Sequence, residues 1–287
     1  MSHELKFFQE KDFDAIYQCF REAFANYQVD MSYMTPEVTY NRFQKNAVQY
    51  DCSVGALADD KLIGFIMVGL DNFKGELAAF DAATGIVPDF QGKGIARAML
   101  QKIIDQLQAQ QVQKFYLEVL QPNEPAIKAY QKAGFEIQRE FDCFKLDLSK
   151  PREAFDISPD IQIKALSPTA IQAFEADFEW VPSWENSVAS ILRIPDEKWV
   201  FGAFLEEKLV GYLVYYPAFQ QILQIFVQKA HRRKHIASSL FAHVLTQVNS
   251  PFIKFNNIDH SDATSRALLE KLGFEFVIGQ FEMMKAL

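Results

Sequence analysis

The stretch Ile86-Val87-Pro88-Asp89-Phe90-Gln91-Gly92-Lys93-Gly94-Ile95-Ala96 marks the point where an extended apolar run gives way to a helical pattern. From Ile95 onward the apolar residues Ile95, Ala96, Met99, Leu100, Ile103, Ile104 and Leu107 form one stripe at helical spacing. The two glycines therefore stand at a helix N-terminus. There the first backbone N–H groups lack intrahelical partners and the helix dipole is positive. Such an end accepts an anion, and glycine lets a pyrophosphate approach the backbone closely. The spacing is not the G-x-G-x-x-G of a dinucleotide fold, and it lacks the Gly-Lys-Ser/Thr ending of a P-loop. A plain turn accounts for an isolated glycine pair equally well, so the surrounding chain has to decide.

Working outward, the same pattern occurs twice. Asp59-Asp60-Lys61-Leu62-Ile63-Gly64-Phe65 is echoed by Glu206-Glu207-Lys208-Leu209-Val210-Gly211-Tyr212, and Gln91–Ala96 by Arg232-Arg233-Lys234-His235-Ile236-Ala237. Ala133-Gly134-Phe135 is echoed by Leu272-Gly273-Phe274, and the helical stripe by Ile236, Ala237, Leu240, Phe241, Val244, Leu245 and Val248. Matches in one order at a nearly constant offset indicate an internal duplication. Extra residues around Asp71–Ala79 explain the drift in offset. Each copy reads strand, helix (Asp12–Ala25; Pro168–Phe178), a second helical stretch (Pro36–Ala47; Trp184–Leu192), a hairpin, a strand into the long helix, another strand, a short helix ending in Gly-Phe, and closing strands. Ser149-Lys150-Pro151-Arg152 and Ser158-Pro159 mark the composition break. The expectation is two tandem α/β domains, 1–150 and 151–287, each a mixed sheet with helices on both faces.

In this setting Ile86–Ala96 resembles the V-x-P-x-x-[RQ]-x-x-G-x-[GA] signature of the GNAT superfamily of acyl-CoA-dependent acyltransferases. The companion N-x-x-A-x-x-x-Y-x-x-x-G-F pattern follows in register as Asn123, Ala126, Tyr130, Gly134 and Phe135. The resemblance covers residues 1–148 directly and 160–287 through the repeat. It implies an N-acetyltransferase that uses acetyl-CoA as cosubstrate, without a metal. The amides of Gln91, Gly92, Lys93, Gly94, Ile95 and Ala96 would hold the pyrophosphate. The strand Thr84–Val87, with Ile86 and Val87, would pair with the pantetheine arm, which Asn123 would also bond. Tyr130 would contact the cofactor and protonate the departing thiolate.

Direct attack by an amine needs no covalent nucleophile, so the isolated Cys19, Cys52 and Cys143 have no catalytic duty. It does need an N–H to stabilise the developing oxyanion, for which the Val87 amide is the expected donor, and a base for the amine proton. Glu118 is the first candidate base. It is a carboxylate within the otherwise apolar strand Phe115–Leu120, twelve residues before Tyr130, a spacing that resembles the protein N-terminal alanine acetyltransferases. A structural role for Glu118, Asp81 as base on the preceding strand, and a water relay are the alternatives. Tyr130 shares its helix face with Ala126, Ile127 and Ala133, so a purely core role is its alternative.

The second copy departs at the decisive places: His235 replaces Gly94, Leu269 replaces Tyr130, and Asn257 replaces Glu118. It reads as a degenerate structural partner. His231 and His235 stand four apart, but the H-E-x-x-H pattern of a zinc helix is missing. The acceptor side reads Asn26-Tyr27-Gln28-Val29-Asp30-Met31-Ser32-Tyr33-Met34, which would either form an adaptable pocket with Asp30 for a cation or pack the seam between copies; Trp180 and Trp184 pose the same choice.

With 49% hydrophobic and 14% aromatic residues the chain can build packed cores. Its net charge of −8 leaves no basic field for nucleic acid. Odd, unpaired cysteines argue against a disulfide framework, and no apolar run reaches the ~18 residues of a membrane span. The expectation is a cytoplasmic monomer or homodimer that binds neither nucleic acid nor membrane and acetylates a small amine or a peptide N-terminus. A non-catalytic acyl-CoA sensor is the alternative.

Overall fold

Both repeats lay down apolar strands and cover them with amphipathic helices. The computed structural model describes residues 3–26, 29–151, 154–195 and 197–287. Tyr27 and Gln28 of the acceptor stretch, and Arg152 of the composition break, lie outside the described residues. In chain order the first part holds β1 (Glu4–Phe7), α1 (Phe13–Ala23), α2 (Pro36–Lys45), β2 (Val48–Ala58), β3 (Lys61–Phe73), β4 (Glu76–Ile86), α3 (Ile95–Ala109), β5 (Lys114–Leu120), α4 (Glu124–Lys132) and β6 (Glu136–Asp147). The remainder holds β7 (Ile161–Ala165), α5 (Val188–Leu192), β8 (Trp199–Leu205), β9 (Lys208–Tyr216), β10 (Gln221–Val227), α6 (Ile236–Leu245), β11 (Phe252–Asp259), α7 (Ala263–Lys271) and β12 (Glu275–Ala286).

Two compact units result: Met1–Arg139 with Phe281–Leu287, and Glu140–Gln280. Residues 149–151, at the composition break, lie inside unit 2. Unit 1 orders its strands β1-β2-β3-β4-β5 and then the C-terminal half of β12. From β1 to β4 neighbours run antiparallel, and β4 runs parallel to β5. The apolar stripe of α3 packs on one face of this sheet, with Ile127, Tyr130 and Phe135; Met283 joins the same buried cluster. On the other face Ile16, Phe20, Met34 and Phe43 pack against Phe65 and Met67. Unit 2 orders its strands β6-β11-β10-β9-β8-β7, again with a single parallel pair among those described, β10 with β11. Its α6 stripe packs with Leu269 and Phe274.

Local differences from the sequence reading have physical causes. Pro168–Asp177 is a 3-10 helix rather than an α-helix, and its buried residues Ile171 and Phe174 stand three apart, the period of that tighter helix. The stretch from Trp184 becomes α5 only at Val188, because the Ser187 side chain caps it by accepting from the Ser190 amide. The offset drift arises where the β3–β4 hairpin, with strands of 13 and 11 residues, outreaches β9 and β10, with 9 and 7.

Candidate active site

The parallel pairing of β4 and β5 runs from Ala78 to Asp81, where Asp81 stands beside Leu117. On its other side β4 pairs with β3 through a bulge, with Met67 opposite Ala83 and Val68 opposite Asp81, which leaves Ala82 unpaired. A bulge bends its strand and raises the local twist. The ends of β4 and β5 thus part just before the Gln91–Ala96 turn.

The turn itself has the geometry of an anion cradle. Gly92 and Gly94 have φ of 73° and 80°, left-handed values that glycine adopts without penalty. A Cβ built on either would meet nothing within 4 Å, so the space in front is open. Gly94 is the N-cap of α3 and brings no side chain to its free amides. These features fit a pyrophosphate. Gln91 Nε2 donates to the Ile86 carbonyl at 3.0 Å, and Lys93 Nζ turns back to the Asp89 carbonyl at 2.7 Å, over the Phe90 ring.

One expectation needs correction. The Val87 N–H donates to the Ile63 carbonyl at 2.9 Å inside the sheet, so it is not free to stabilise an oxyanion. In an antiparallel ladder the next residue turns its N–H and C=O the other way. It is the Ile86 peptide that faces away from β3, as its carbonyl bond to Gln91 shows.

Two of the three proton-handling candidates meet. The Tyr130 hydroxyl donates to Asp81 Oδ2 at 3.1 Å, and Thr84 Oγ1 donates to the same oxygen at 2.6 Å. Asp81 and Tyr130 are both buried. Burial pushes the Asp81 carboxyl up to about 6, although Thr84, Tyr130 and the Ala83 amide favour its charged form. Glu118 is not part of this group. Leu117 and Val119 share the buried cluster of Tyr130, so strand alternation turns Glu118 to the opposite face, where its Oε1 is shielded from solvent. Asn123 caps α4, its Oδ1 accepting from the Ala126 amide at 3.4 Å. The sequence gives no sign that Thr84 joins the proton-handling group, because regular alternation places residues three apart on opposite faces. Burial pushes the Cys19 and Cys52 thiols up to about 12 and about 11, so neither is a ready nucleophile.

The acceptor stretch packs within unit 1. Met34 is fully buried beside Phe20 and Phe43, Met31 and Tyr33 pack against the same cluster, and Asp30 is exposed. Trp184 is buried, whereas Trp180 is exposed.

Unit 2 repeats the backbone but not the chemistry. Arg233 and His235 hold the left-handed conformations of Gly92 and Gly94, with φ of 63° and 58°. His231 ends a 3-10 turn and His235 caps α6, so they are not stacked on one helix. Among the described residues no group of three or more His, Cys, Asp or Glu could hold a metal. Phe255 stands beside Ile222 through its register, as Leu117 stands beside Asp81; Asn256 therefore occupies the place of Glu118. Asn257, with φ of 62°, is the extra residue of a bulge, which corrects its expected equivalence.

Beyond that point unit 2's own chain bridges the parting strands. Asn186 Nδ2 donates to the Asn256 carbonyl at 2.9 Å, and Gln224 Nε2 to the Asn186 carbonyl at 2.9 Å. Asn257 Nδ2 donates to Ser183 Oγ at 3.0 Å. The segment 183–186 thus plugs the parting of β10 and β11, the counterpart of the parting of β4 and β5 in unit 1.

Comparison with known proteins identifies the family and the fold. The acetyltransferase (GNAT) family profile matches residues 13–135 and again 163–274. An acetyltransferase of Pectobacterium atrosepticum is 27% identical over 143 residues, covering 50% of this chain and 92% of that protein. The ribosomal protein bS18-alanine N-acetyltransferase of Salmonella typhimurium is 38% identical over 80 residues, 27% of this chain and 50% of that protein. In fold, a tandem GNAT protein from the clavulanic acid biosynthesis pathway superposes with a TM-score of 0.77 at 14% identity, covering 99% of this chain and 98% of its own. A GCN5-related N-acetyltransferase from Sphaerobacter thermophilus does so at 0.75 and 14%, covering 99% and 95%. The chain belongs to the acetyltransferase (GNAT) family, carries two copies of its fold in tandem, and is an N-acetyltransferase by that membership.

Proposed function

We propose that unit 1 alone binds acetyl-CoA and transfers the acetyl group to a primary amine, either a small molecule or a peptide N-terminus, by direct attack. The cosubstrate supplies the activated acyl thioester. The amides from Gln91 to Ala96 would hold its pyrophosphate, and β4 from Thr84 to Val87, with Asn123, its pantetheine arm. The Ile86 N–H, facing away from β3, is the donor for a developing oxyanion.

The reaction forms a C–N bond, breaks a C–S bond, removes one proton from nitrogen and delivers one to sulfur. The observation that carries the reading is the buried hydrogen bond from Tyr130 to Asp81. A carboxylate that titrates near 6 is largely ionised at neutral pH and is poised as a base. Tyr130 takes the amine proton while passing its own to Asp81. The pair then reverses, with Tyr130 delivering a proton to sulfur and recovering one from Asp81. The acceptor reacts as the neutral amine, its ammonium form having lost a proton to bulk water, and Glu118, on the other face of β5, orients it on entry. That a relative acts on a ribosomal protein's alanine supports keeping peptide N-termini among the acceptors.

Thiol release from acetyl-CoA across a panel of small primary amines and N-terminal peptides tests this. Release with at least one acceptor, lost in Tyr130→Phe, is the expected result. Tight binding with no release from any acceptor would establish an acyl-CoA sensor instead.

A further inference from the structure

Resting on the proton-shuttle reading above, we infer that Thr84 is the positioning residue of the Asp81–Tyr130 pair, its hydroxyl turning the carboxyl so that Oδ2 faces Tyr130. Both hydroxyls converge on Oδ2, at 2.6 Å from Thr84 and 3.1 Å from Tyr130. Oδ1 is buried with no hydrogen-bond partner among the described residues. Among side chains, the two contacts on Oδ2 therefore set how the carboxyl is turned, with the Ala83 amide as the backbone contribution. Thr84 reaches Asp81 only because of the bulge at Ala82: residues three apart on a regular strand face opposite ways, and one extra residue brings them to the same face.

The surroundings of Asp81 are otherwise apolar. Val68 of β3 and Leu117 of β5 flank it in register, the buried residues of α3 in this cluster are apolar, and Tyr130 of α4 is the titratable group bonded to it.

Unit 2 provides an internal control. It keeps the bulge, with the register slipping between Ile222 and Gln224. Yet Ile222, Ile225 and Leu269 occupy the places of Asp81, Thr84 and Tyr130, and all three pack in one apolar cluster. The fold therefore accepts apolar residues at all three positions, and they are polar together or apolar together. A hydroxyl kept merely to fill space would not require the carboxylate and the phenol.

The test follows the Asp81 carboxyl by ¹³C NMR titration of the whole chain, alongside the pH profile of acetyl-CoA thiol release. Thr84→Val keeps the shape and removes the hydroxyl; Thr84→Ser keeps the hydroxyl; Thr84→Ala is the second test of its loss should the valine variant fold poorly. We expect the midpoint and the acidic limb of turnover to move up by on the order of one pH unit in the valine or alanine variant and to return in the serine variant. The KM for acetyl-CoA should stay unchanged while kcat falls. An unmoved midpoint and limb in the valine or alanine variant, with Asp81→Asn still abolishing the limb, overturns the role of Thr84 and leaves the shuttle standing. A limb that survives Asp81→Asn overturns both.

Discussion

Gly94 and His235 hold the same left-handed backbone at the N-cap of corresponding helices, with φ of 80° and 58°, although only one is glycine. The loop conformation is common to both units, but only in unit 1 do glycines leave the front of the turn without side chains. A large side chain at 94 should therefore remove acetyl-CoA binding, by adding bulk and by imposing about 1–2 kcal/mol of left-handed strain. Calorimetry on Gly94→Trp should show no binding with the circular dichroism spectrum intact, and His235→Trp should bind as the native chain does. Loss of binding in the His235 variant alone would reverse the choice of active unit.

Stoichiometry separates backbone from access. Because Ser183 and Asn186 bridge β10 and β11, one acetyl-CoA should bind per chain. His235→Gly should leave that count at one, since the plug remains, while stabilising the chain by about 1 kcal/mol or less through relief of strain. Two equivalents bound by either protein would show that the plug yields.

Tyr130→Phe keeps the ring in its edge-to-face contact with Phe135 and removes only the hydroxyl. Turnover should fall by about 10²-fold, the range of a lost acid–base group. The KM for acetyl-CoA should scarcely change, because the lost interaction acts mainly in the transition state. Glu118→Gln should weaken use of the amine while leaving the acidic limb, which belongs to Asp81, in place. Near-full activity in both variants would return the proton chemistry to ordered water.

Asp81 carries a cost in stability with a definite sign. Its carboxyl titrates near 6 in the folded chain, above the 3.8 of an aspartate freely exposed to water, so the folded state binds the proton more tightly. Stability is thus lost as pH rises from about 4 to about 6, on the order of 3 kcal/mol in total. Relative to the native chain, Asp81→Asn should gain stability across that window in denaturant titrations. A difference that stays flat with pH would show that Asp81 is not held in a desolvated site.

The last strand should matter to the first unit. Glu282, 2% exposed, is held by Lys74 at 2.8 Å and by Arg139 through two bonds of 3.0 and 2.9 Å, and Met283 lies in the unit 1 core. Glu282→Ala leaves two cations without their carboxylate and should cost about 3 kcal/mol. A fragment of residues 1–150 lacks this strand altogether and should fail to bind acetyl-CoA, whereas adding residues 281–287 as a peptide should restore part of the binding.

Much of this protein was decided by local pattern. The helical stripe beginning at Ile95, its repetition from Ile236, the glycine turn at 92–94 and the Asn123–Phe135 spacing each lie within one element or one junction. Periodicity, capping and backbone freedom act over a few residues, so the sequence alone determined two mixed α/β repeats and placed a glycine turn at a helix N-terminus in the first. Tertiary structure decided what depends on phase and distance. A one-residue bulge reverses which side chains share a face, and so brought Thr84 to Asp81 and made Asn256 rather than Asn257 the counterpart of Glu118. The meeting of Tyr130 with Asp81, 49 residues earlier, depends on how the crossover through α3, β5 and α4 packs back onto the sheet. Strand pairing, not residue type, left the Ile86 amide facing outward and bound that of Val87. Likewise the segment at Ser183–Asn186 and the strand from Phe281 have ordinary local sequences; their roles come from hydrogen-bond and packing partners far along the chain.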